Sequence, residues 1–131
     1  MATRGTGLVT GLGQIALGVS NADMAEEFYG RKLGLKKLYR FDNLVFFDLG
    51  GVRLMLGDEG AENAKPGSTC LYLRVGDINA AVADLTHRGV TFAHPPHLIA
   101  TMPDHELWMA FFLDPFGHQL ALMCERPLPP T

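Results

Sequence analysis

The sequence predicts an α+β protein built from two modules of the same layout, a strand, a helix and three further strands. Three observations lead to this prediction. The length of 131 residues suits one compact domain, and 47% apolar with 19% charged residues can form its core. The third is internal repetition: residues 14–21 align with residues 70–77, and residues 47–56 align with residues 113–122. The offset between the second pair of aligned segments exceeds the offset between the first pair by ten residues. The second module therefore contains an insertion, which we place within residues 94–106.

The two modules are predicted to form a single domain. The domain spans residues 12–125, with tails at residues 1–11 and 126–131. Within it, the first module covers residues 12–58, a polar linker covers residues 59–67, and the second module covers residues 68–125. The tails are rich in Gly, Thr or Pro and are expected to be poorly ordered.

The first module begins with an apolar strand at residues 14–19, and the capping-type sequence of residues 20–23 starts a helix after it. Phe28 continues the helical spacing, and Gly30 or Gly34 can end the helix. Three β-rich segments separated by hairpin turns complete the module: residues 36–41, 44–49 and 52–56.

The second module repeats this order. A strand is predicted at residues 70–75, and Asp77 starts a helix that Gly89 ends. The remaining predicted elements are a strand at residues 90–93, a long loop at residues 94–106, and two strands at residues 107–113 and 118–124.

Charge and hydropathy exclude two classes of partner. The net charge of -3 and the pI near 5.9 leave no basic field of the kind that nucleic acids require. No apolar run approaches the roughly 20 residues that span a bilayer, and residues 1–13 lack a secretory signal, so a cytoplasmic protein is expected. Cys70 and Cys124 follow no disulfide or zinc pattern and are expected to be reduced.

Three motifs carry a resemblance to a known family. Residues 28–34 have the pattern FYG-x-x-LG, residues 50–56 the pattern GG-x-RL-x-L, and residues 114–122 the pattern DP-x-G-x-x-x-x-L. With the repeated layout, they resemble the vicinal oxygen chelate superfamily of glyoxalases, extradiol dioxygenases, fosfomycin-resistance enzymes and bleomycin-resistance proteins. The resemblance spans residues 12–125 and implies paired βαβββ modules whose curled mixed sheets form a cup around a small-molecule site, with the helices outside. Analogy with the family, together with the open sheet edges, also implies a homodimer.

Alternation along the strands predicts which side chains face the cup. Large aliphatic side chains at alternate positions should pack under the helices: Ile15, Leu17, Val19, Leu71, Leu73 and Val75. The cup should be lined by their neighbours and by alternate residues of the last strands: Gln14, Ala16, Gly18, Arg53, Met55, Gly57, Cys70, Tyr72, Arg74, Gln119, Ala121 and Met123. The cup is therefore predicted to be polar where a ligand would lie.

The resemblance also implies a divalent metal ion held by four cup positions, which in this chain are Gln14, Met55, Cys70 and Ala121. A thioether is a soft ligand and an alanine has no ligand atom, so this set does not suit a catalytic ion that needs about three protein ligands. No metal site and no cofactor are therefore predicted, and a divalent metal ion is the alternative.

The inserted segment, residues 94–106, has three interpretations. It is a proline-stiffened surface loop, or it folds over the cup so that His105, oriented by Asp104 or Glu106, supplies acid/base catalysis. In the third interpretation, His97, His105 and Glu106 hold a displaced metal ion. His105 and Glu106 are the predicted catalytic residues.

Six residues are predicted to bind the substrate: Gln14, Arg53, Tyr72, Arg74, His97 and Trp108. Arg53 or Arg74 would anchor an anionic or enolate-like oxygen, because the guanidinium fork matches a carboxylate. The alternative for these arginines is a structural ion pair with Asp48, Asp77 or a glutamate. Trp108 would add an apolar wall to the pocket.

Two hypotheses about function follow. The first is a metal-independent lyase or isomerase of the glyoxalase-like group that acts on a small oxygenated organic molecule. The second is a non-catalytic protein of bleomycin-resistance type that sequesters such a molecule. Neither hypothesis includes a nucleic acid or a membrane as a partner.

Overall fold

The computed structural model describes residues 7–57, 67 and 69–128, and it has the predicted α+β architecture. The first module contains β1 (Gln14–Gly18), α1 (Ala22–Glu26) continued by a π-helical segment (Glu27–Lys32), β2 (Lys36–Phe41), β3 (Leu44–Leu49) and β4 (Val52–Gly57). The second contains β5 (Cys70–Arg74), α2 (Ile78–His87), β6 (His97–Thr101), β7 (His105–Leu113) and β8 (Gln119–Pro127). Apart from Gly67, the predicted linker lies outside the described residues, as do residues 1–6 and 129–131 of the predicted tails.

The two modules share one sheet topology. The strand order is β1-β4-β3-β2 in the first sheet and β5-β8-β7-β6 in the second. In each sheet the first strand runs parallel to the last, and the other neighbours are antiparallel. The parallel pairs have equivalent register, with Gln14 opposite Arg53 and Cys70 opposite Gln119. Each hairpin also contains an irregularity, at Leu38 in the β2–β3 pairing and at Ile99 in the β6–β7 pairing. The predicted repetition is therefore confirmed at the level of strand register.

Side-chain caps and glycines set the helix ends. Asn21 Oδ1 accepts a hydrogen bond from the Met24 backbone N–H at 2.9 Å, and Asp77 Oδ1 accepts one from Ala80 at 3.1 Å. The first helical region continues past Gly30, and the chain turns at Gly34, whose φ of 78° favours glycine. In the described part of the chain, no helix combines the length and the apolar character that crossing a membrane requires.

One hydrophobic core contains side chains from both modules. Its largest fully buried rings belong to Tyr29, Phe47 and Phe112, and Phe28 lies 5.2 Å from Tyr29 and 6.4 Å from Phe112 between ring centroids. The aliphatic residues that alternation assigned to the helix side pack in or against this core. Each sheet thus has one face on the core and one opposite it, which we call its open face.

A buried polar contact joins the modules within this core. Tyr29 donates a hydrogen bond from its hydroxyl to Asp114 Oδ2 at 2.7 Å, and Asp114 Oδ1 accepts the backbone N–H groups of Phe116 and His118 at 2.8 Å. His118 also contacts the first module, because its Nε2 forms a hydrogen bond with the backbone carbonyl of Gly18. Burial raises the pKa of the Tyr29 phenol, and the nearby Asp114 charge raises it further, so Tyr29 remains the donor.

The second module departs from the prediction at its third strand. Residues 90–93 contribute only one isolated bridge, Phe92 to Phe112, whereas β6 lies at His97–Thr101. Pro95 and Pro96 cannot donate to a strand ladder, so pairing lapses after residue 93 and resumes beyond them. The predicted loop at residues 94–106 was therefore wrong, since most of it forms the β6–β7 hairpin. β8 also extends to Pro127, three residues beyond the predicted strand end.

We expect Tyr29→Phe to lower the free energy of unfolding by about 1–3 kcal/mol, the usual effect of losing a buried hydrogen bond. The ring stays in the core, so the change isolates the bond to Asp114. Urea unfolding followed by circular dichroism measures the effect. Tyr39→Phe is the matched control, because Tyr39 is half exposed and should change stability little. Equal unfolding midpoints for wild type and Tyr29→Phe would contradict the role of this contact.

Candidate functional site

The open face of the first sheet carries an arginine that neutral groups hold in place. Arg53 Nε donates to Gln14 Oε1 at 2.7 Å, and Arg53 Nη1 donates to the Tyr39 hydroxyl at 3.3 Å. The guanidinium carbon lies 5.7 Å from the centroid of Phe46, a distance typical of a cation–π contact. Met55 Sδ accepts a hydrogen bond from the amide nitrogen of Gln14 at 3.8 Å. We call this group of five residues the Arg53 face.

Strand register explains how these side chains meet. The parallel β1–β4 pairing places Gln14 beside Arg53, and the antiparallel β3–β4 pairing places Phe46 beside Met55. Tyr39 joins them through the slip at Leu38, which sets Tyr39 opposite Phe46 with ring centroids 4.5 Å apart. Tyr39 was not predicted, because simple alternation along β2 cannot foresee a bulge.

Arg53 has no carboxylate partner among the residues that the structure describes. Asp48 is its neighbour across β3–β4, but Asp48 Oδ1 accepts the backbone N–H of Gly51 at 2.9 Å and closes the turn instead. The structural ion pair considered for Arg53 is therefore absent from the described part of the chain. Its remaining N–H donors are left for solvent or a ligand.

The open face of the second sheet is more aromatic. The ring of Phe111 lies 6.3 Å from Tyr72, edge to face, and 6.1 Å from the imidazole of His97. Burial raises the pKa of the Cys70 thiol, although a hydrogen bond from Tyr72 opposes this shift. We call this surface the Phe111 face, and its members are Cys70, Tyr72, Arg74, His97, Phe111 and Gln119.

A cleft of about 790 Å³ separates β5 from the first module. Tyr72 and Arg74 line one side of it, and Asp48 and Gly50 of the β3–β4 turn line the other. The predicted binding residues therefore assemble as two groups, Gln14 with Arg53 and Tyr72 with Arg74. No hydrogen bond or ring contact between described residues connects these two groups directly.

His105 also lies on an open face, at the start of β7. Its Nδ1 bonds Asp104 Oδ1 at 2.7 Å, and its Nε2 lies 3.9 Å from Glu125 Oε2. The hydrogen bond from His105 lowers the pKa of the Asp104 carboxyl. The stabilisation that this pair gives the folded state is therefore present above the ordinary pKa of aspartate, and it is lost as the pH falls through the lowered pKa of Asp104. Glu125 was not predicted, because it lies beyond the expected end of the last strand.

Two predicted site residues lie on the opposite side of β7. Strict alternation along β7 separates Glu106 and Trp108 from His105 and Phe111. Trp108 packs against the core, donates from Nε1 to Glu106 Oε1 at 3.1 Å, and lies 4.7 Å from the guanidinium of Arg126. The structure therefore contradicts Trp108 as a wall of the cup and Glu106 as a partner of His105. Glu106 belonged to the segment that was interpreted as a loop, and within the predicted strand 107–113 alternation was not used to assign a face to Trp108.

A family model described as the Glyoxalase/Bleomycin resistance protein/Dioxygenase superfamily matches residues 11–122. The chain belongs to this superfamily. The match covers most of the chain and confirms the resemblance that the sequence motifs indicated. No curated protein sequence matches the chain.

Solved structures of this superfamily are similar in fold. A superfamily member from Sphaerobacter thermophilus has a TM-score of 0.72 and 29% identity, over 90% of this chain and 99% of its own. A glyoxalase/bleomycin resistance protein/dioxygenase from Alicyclobacillus acidocaldarius has a TM-score of 0.71 and 19% identity, over 88% and 91%. A lactoylglutathione lyase from Agrobacterium tumefaciens has a TM-score of 0.69 and 21% identity, over 90% and 96%.

The residues at the expected metal positions do not fit a divalent ion. The amide oxygen of Gln14 accepts a hydrogen bond from Arg53, and its amide nitrogen donates one to Met55. The oxygen that would bind a metal ion therefore contacts a guanidinium group. Ala121 is fully buried and has no ligand atom. No group of three potential ligands among His, Cys, Asp and Glu occurs within residues 7–57, 67 and 69–128.

The displaced metal site also fails to assemble. His97 pairs with Met109, four residues along β7 from His105, which corresponds to about 13 Å. Glu106 lies on the other face of the strand, so the three side chains cannot share one ion.

Proposed function

We propose that this superfamily member binds a small, oxygenated, anionic organic molecule at the Arg53 face, without a metal ion. The observation that supports this proposal is the state of Arg53. Neutral oxygen atoms of Gln14 and Tyr39 fix the guanidinium, and its positive charge is not neutralised by a carboxylate among the described residues.

The geometry suits recognition of a carboxylate or an enolate-like oxygen. A guanidinium has five N–H donors, and the described residues accept hydrogen bonds from two of those of Arg53. The remaining donors can form a charge-assisted pair with a ligand. The planar fork is already oriented by two hydrogen bonds, so less conformational entropy is lost on binding. Phe46 and Tyr39 add an aromatic surface for the carbon skeleton of the ligand.

The positive charge that a metal ion would supply is thereby supplied by a side chain. Gln14 occupies a position that the family resemblance assigns to a metal ligand, and its oxygen faces Arg53 at 2.7 Å. This arrangement favours binding and sequestration, because a guanidinium stabilises an anion but does not itself transfer a proton at neutral pH.

A second candidate function is a metal-independent lyase or isomerase. The observation that favours it is the Asp104–His105 pair, which fixes the imidazole through Nδ1 and leaves Nε2 toward Glu125. An imidazole oriented in this way can serve as a general acid or base. In this proposal His105 is the acid/base group and Asp104 the positioning residue, while Tyr72, Arg74 and His97 bind the substrate.

We also propose that the protein is a homodimer. β1 and β5 each form one edge of their sheets, and each carries part of one of the two binding groups. Pairing of β1 with β5 of a second copy would cover both edges under a two-fold axis and bring an Arg53 face next to a Phe111 face. The half-exposed Tyr72 ring, at 50%, would be covered in this contact.

Replacing Arg53 by Met should weaken ligand binding about 10- to 100-fold, the loss expected for a charge-assisted pair. A thermal-shift screen of small carboxylates, keto acids and phosphonates selects the ligand, and calorimetry measures its affinity. Arg31→Met is the matched control, because it removes an equal charge from the exposed side of the π-helical segment. Unchanged affinity in Arg53→Met, or an equal loss in both variants, would overturn the site.

The lyase or isomerase proposal predicts that His105→Ala abolishes turnover of that ligand while leaving its affinity nearly unchanged. Proton NMR of the ligand measures turnover. The same variant should return the lowered pKa of Asp104 toward its ordinary value, which carboxyl NMR titration measures independently of activity. His87→Ala, at the exposed end of α2, is the control and should leave turnover unchanged. Turnover that survives in His105→Ala would remove the acid/base role.

Sedimentation equilibrium should give twice the 14.3 kDa chain mass at micromolar concentration. Ala16→Glu places a charge on the exposed face of β1 and should raise the dissociation constant at least about tenfold by desolvating that charge in the interface. Thr86→Glu, on the exposed surface of α2, is the control and should leave association unchanged. A monomer at all concentrations would contradict the homodimer.

A further inference from the structure

A notch beside β7 is a second cavity, separate from the Arg53 face, and it shares Phe111 and Gln119 with the Phe111 face. Because β6 begins opposite Met109, residues 110–113 of β7 pair with β8 on one side but have no full strand on the other. Their contacts on that side are the Phe92–Phe112 bridge and the hydrogen bond from Ala93 N–H to the Phe111 carbonyl at 3.0 Å. The β7 notch left there has a volume of about 580 Å³, within the range of small-molecule sites.

The interior of the β7 notch is apolar and aromatic. Its apolar lining comes from the π-helical segment, the chain after α2, and the β7–β8 turn: Phe28, Val90, Phe111, Phe112, Leu113 and Pro115. The rings of Phe28 and Phe112 lie 6.4 Å apart between centroids, and Phe92 lies 5.1 Å from Phe112 behind them. Such a surface favours a flat ring or an alkyl chain.

One positive charge lies at this apolar surface. Lys32 lines the notch and is half-buried, and it forms no salt bridge with any described residue. Its Nζ lies 3.4 Å from the point where a β-carbon of Gly89 would stand, so the ammonium group rests against the backbone at the end of α2. Gly89 has a φ of 97°, a backbone conformation that favours glycine, so no β-carbon stands between this backbone and the side chain of Lys32.

The carboxylate in the lining forms no salt bridge with Lys32. Asp114 lines the notch, but its two oxygens accept the Tyr29 hydroxyl and the N–H groups of Phe116 and His118. The ammonium group of Lys32 is therefore open to a negative partner beside the aromatic surface. An ammonium group partly removed from water gains from a negative partner.

We infer that the β7 notch binds a small aromatic carboxylate, with its ring against Phe28 and Phe112 and its carboxylate at Lys32. This site shares no residue with the Arg53 face, and it requires no metal ion. It would allow a second molecule to bind independently of the ligand proposed above.

The test uses 2-naphthoate and its neutral isostere naphthalene-2-carboxamide as matched probes, with affinities measured by calorimetry on the full chain. We expect 2-naphthoate to bind at least about tenfold more tightly than the amide, because only the acid pairs with Lys32. Lys32→Met should remove that difference, whereas Lys32→Arg should retain it. Lys36→Met, which removes an exposed lysine of β2, should leave both affinities unchanged.

Proton–nitrogen NMR spectra locate the bound probe. Shifts at Gly89, Val90 and Ala93 on addition of 2-naphthoate would support the notch, whereas shifts confined to the Arg53 face would overturn it. Equal affinity for the two probes, unchanged 2-naphthoate affinity in Lys32→Met, or no saturable binding would also overturn it. Failure of the Arg53 proposal would appear separately, as unchanged binding of its own ligand in Arg53→Met.

Discussion

The buried hydrogen bond between Tyr29 and Asp114 joins two sheets that cannot each bury an apolar face alone. Four strands and one short helical region are too small for an independent core, so both modules contribute to a common one. The bond is directional, and it is reinforced by the return contact from His118 to Gly18. It therefore fixes not only that the modules pack together but how one is oriented on the other, and both open faces follow from that orientation.

The division of the binding chemistry follows from the same constraint. Because each sheet gives one face to the core, each has one face left for recognition, and the two carry different chemistry. The first presents a fixed cation above an aromatic ring, and the second presents the ring of Phe111 in contact with Tyr72 and His97. The superfamily fold is compatible with many reactions, so the side chains on these faces, and not the fold, decide what this member does.

The sequence was sufficient for features that depend on local periodicity. Repetition of motifs predicted both modules, and alternation in β1, β4 and β5 correctly placed Gln14 and Arg53 on one face and the aliphatic residues on the core. Prediction failed where the pattern was irregular or was not applied. The prolines at 95 and 96 displaced β6, and because alternation was not followed along β7, Glu106 and Trp108 were assigned to the wrong side. The relative orientation of the modules depends on contacts such as Tyr29 with Asp114, which are 85 residues apart and have no local signature.

The register of the two parallel strand pairs bears on the origin of the chain. Gln14 lies opposite Arg53, and Cys70 lies opposite Gln119, which are equivalent positions of the two repeats. The shared register is explained if a half-length ancestor already carried it before gene duplication and fusion. Such an ancestor would have been obliged to associate with itself to bury its sheet, and the present intramolecular core would be the descendant of that early subunit contact.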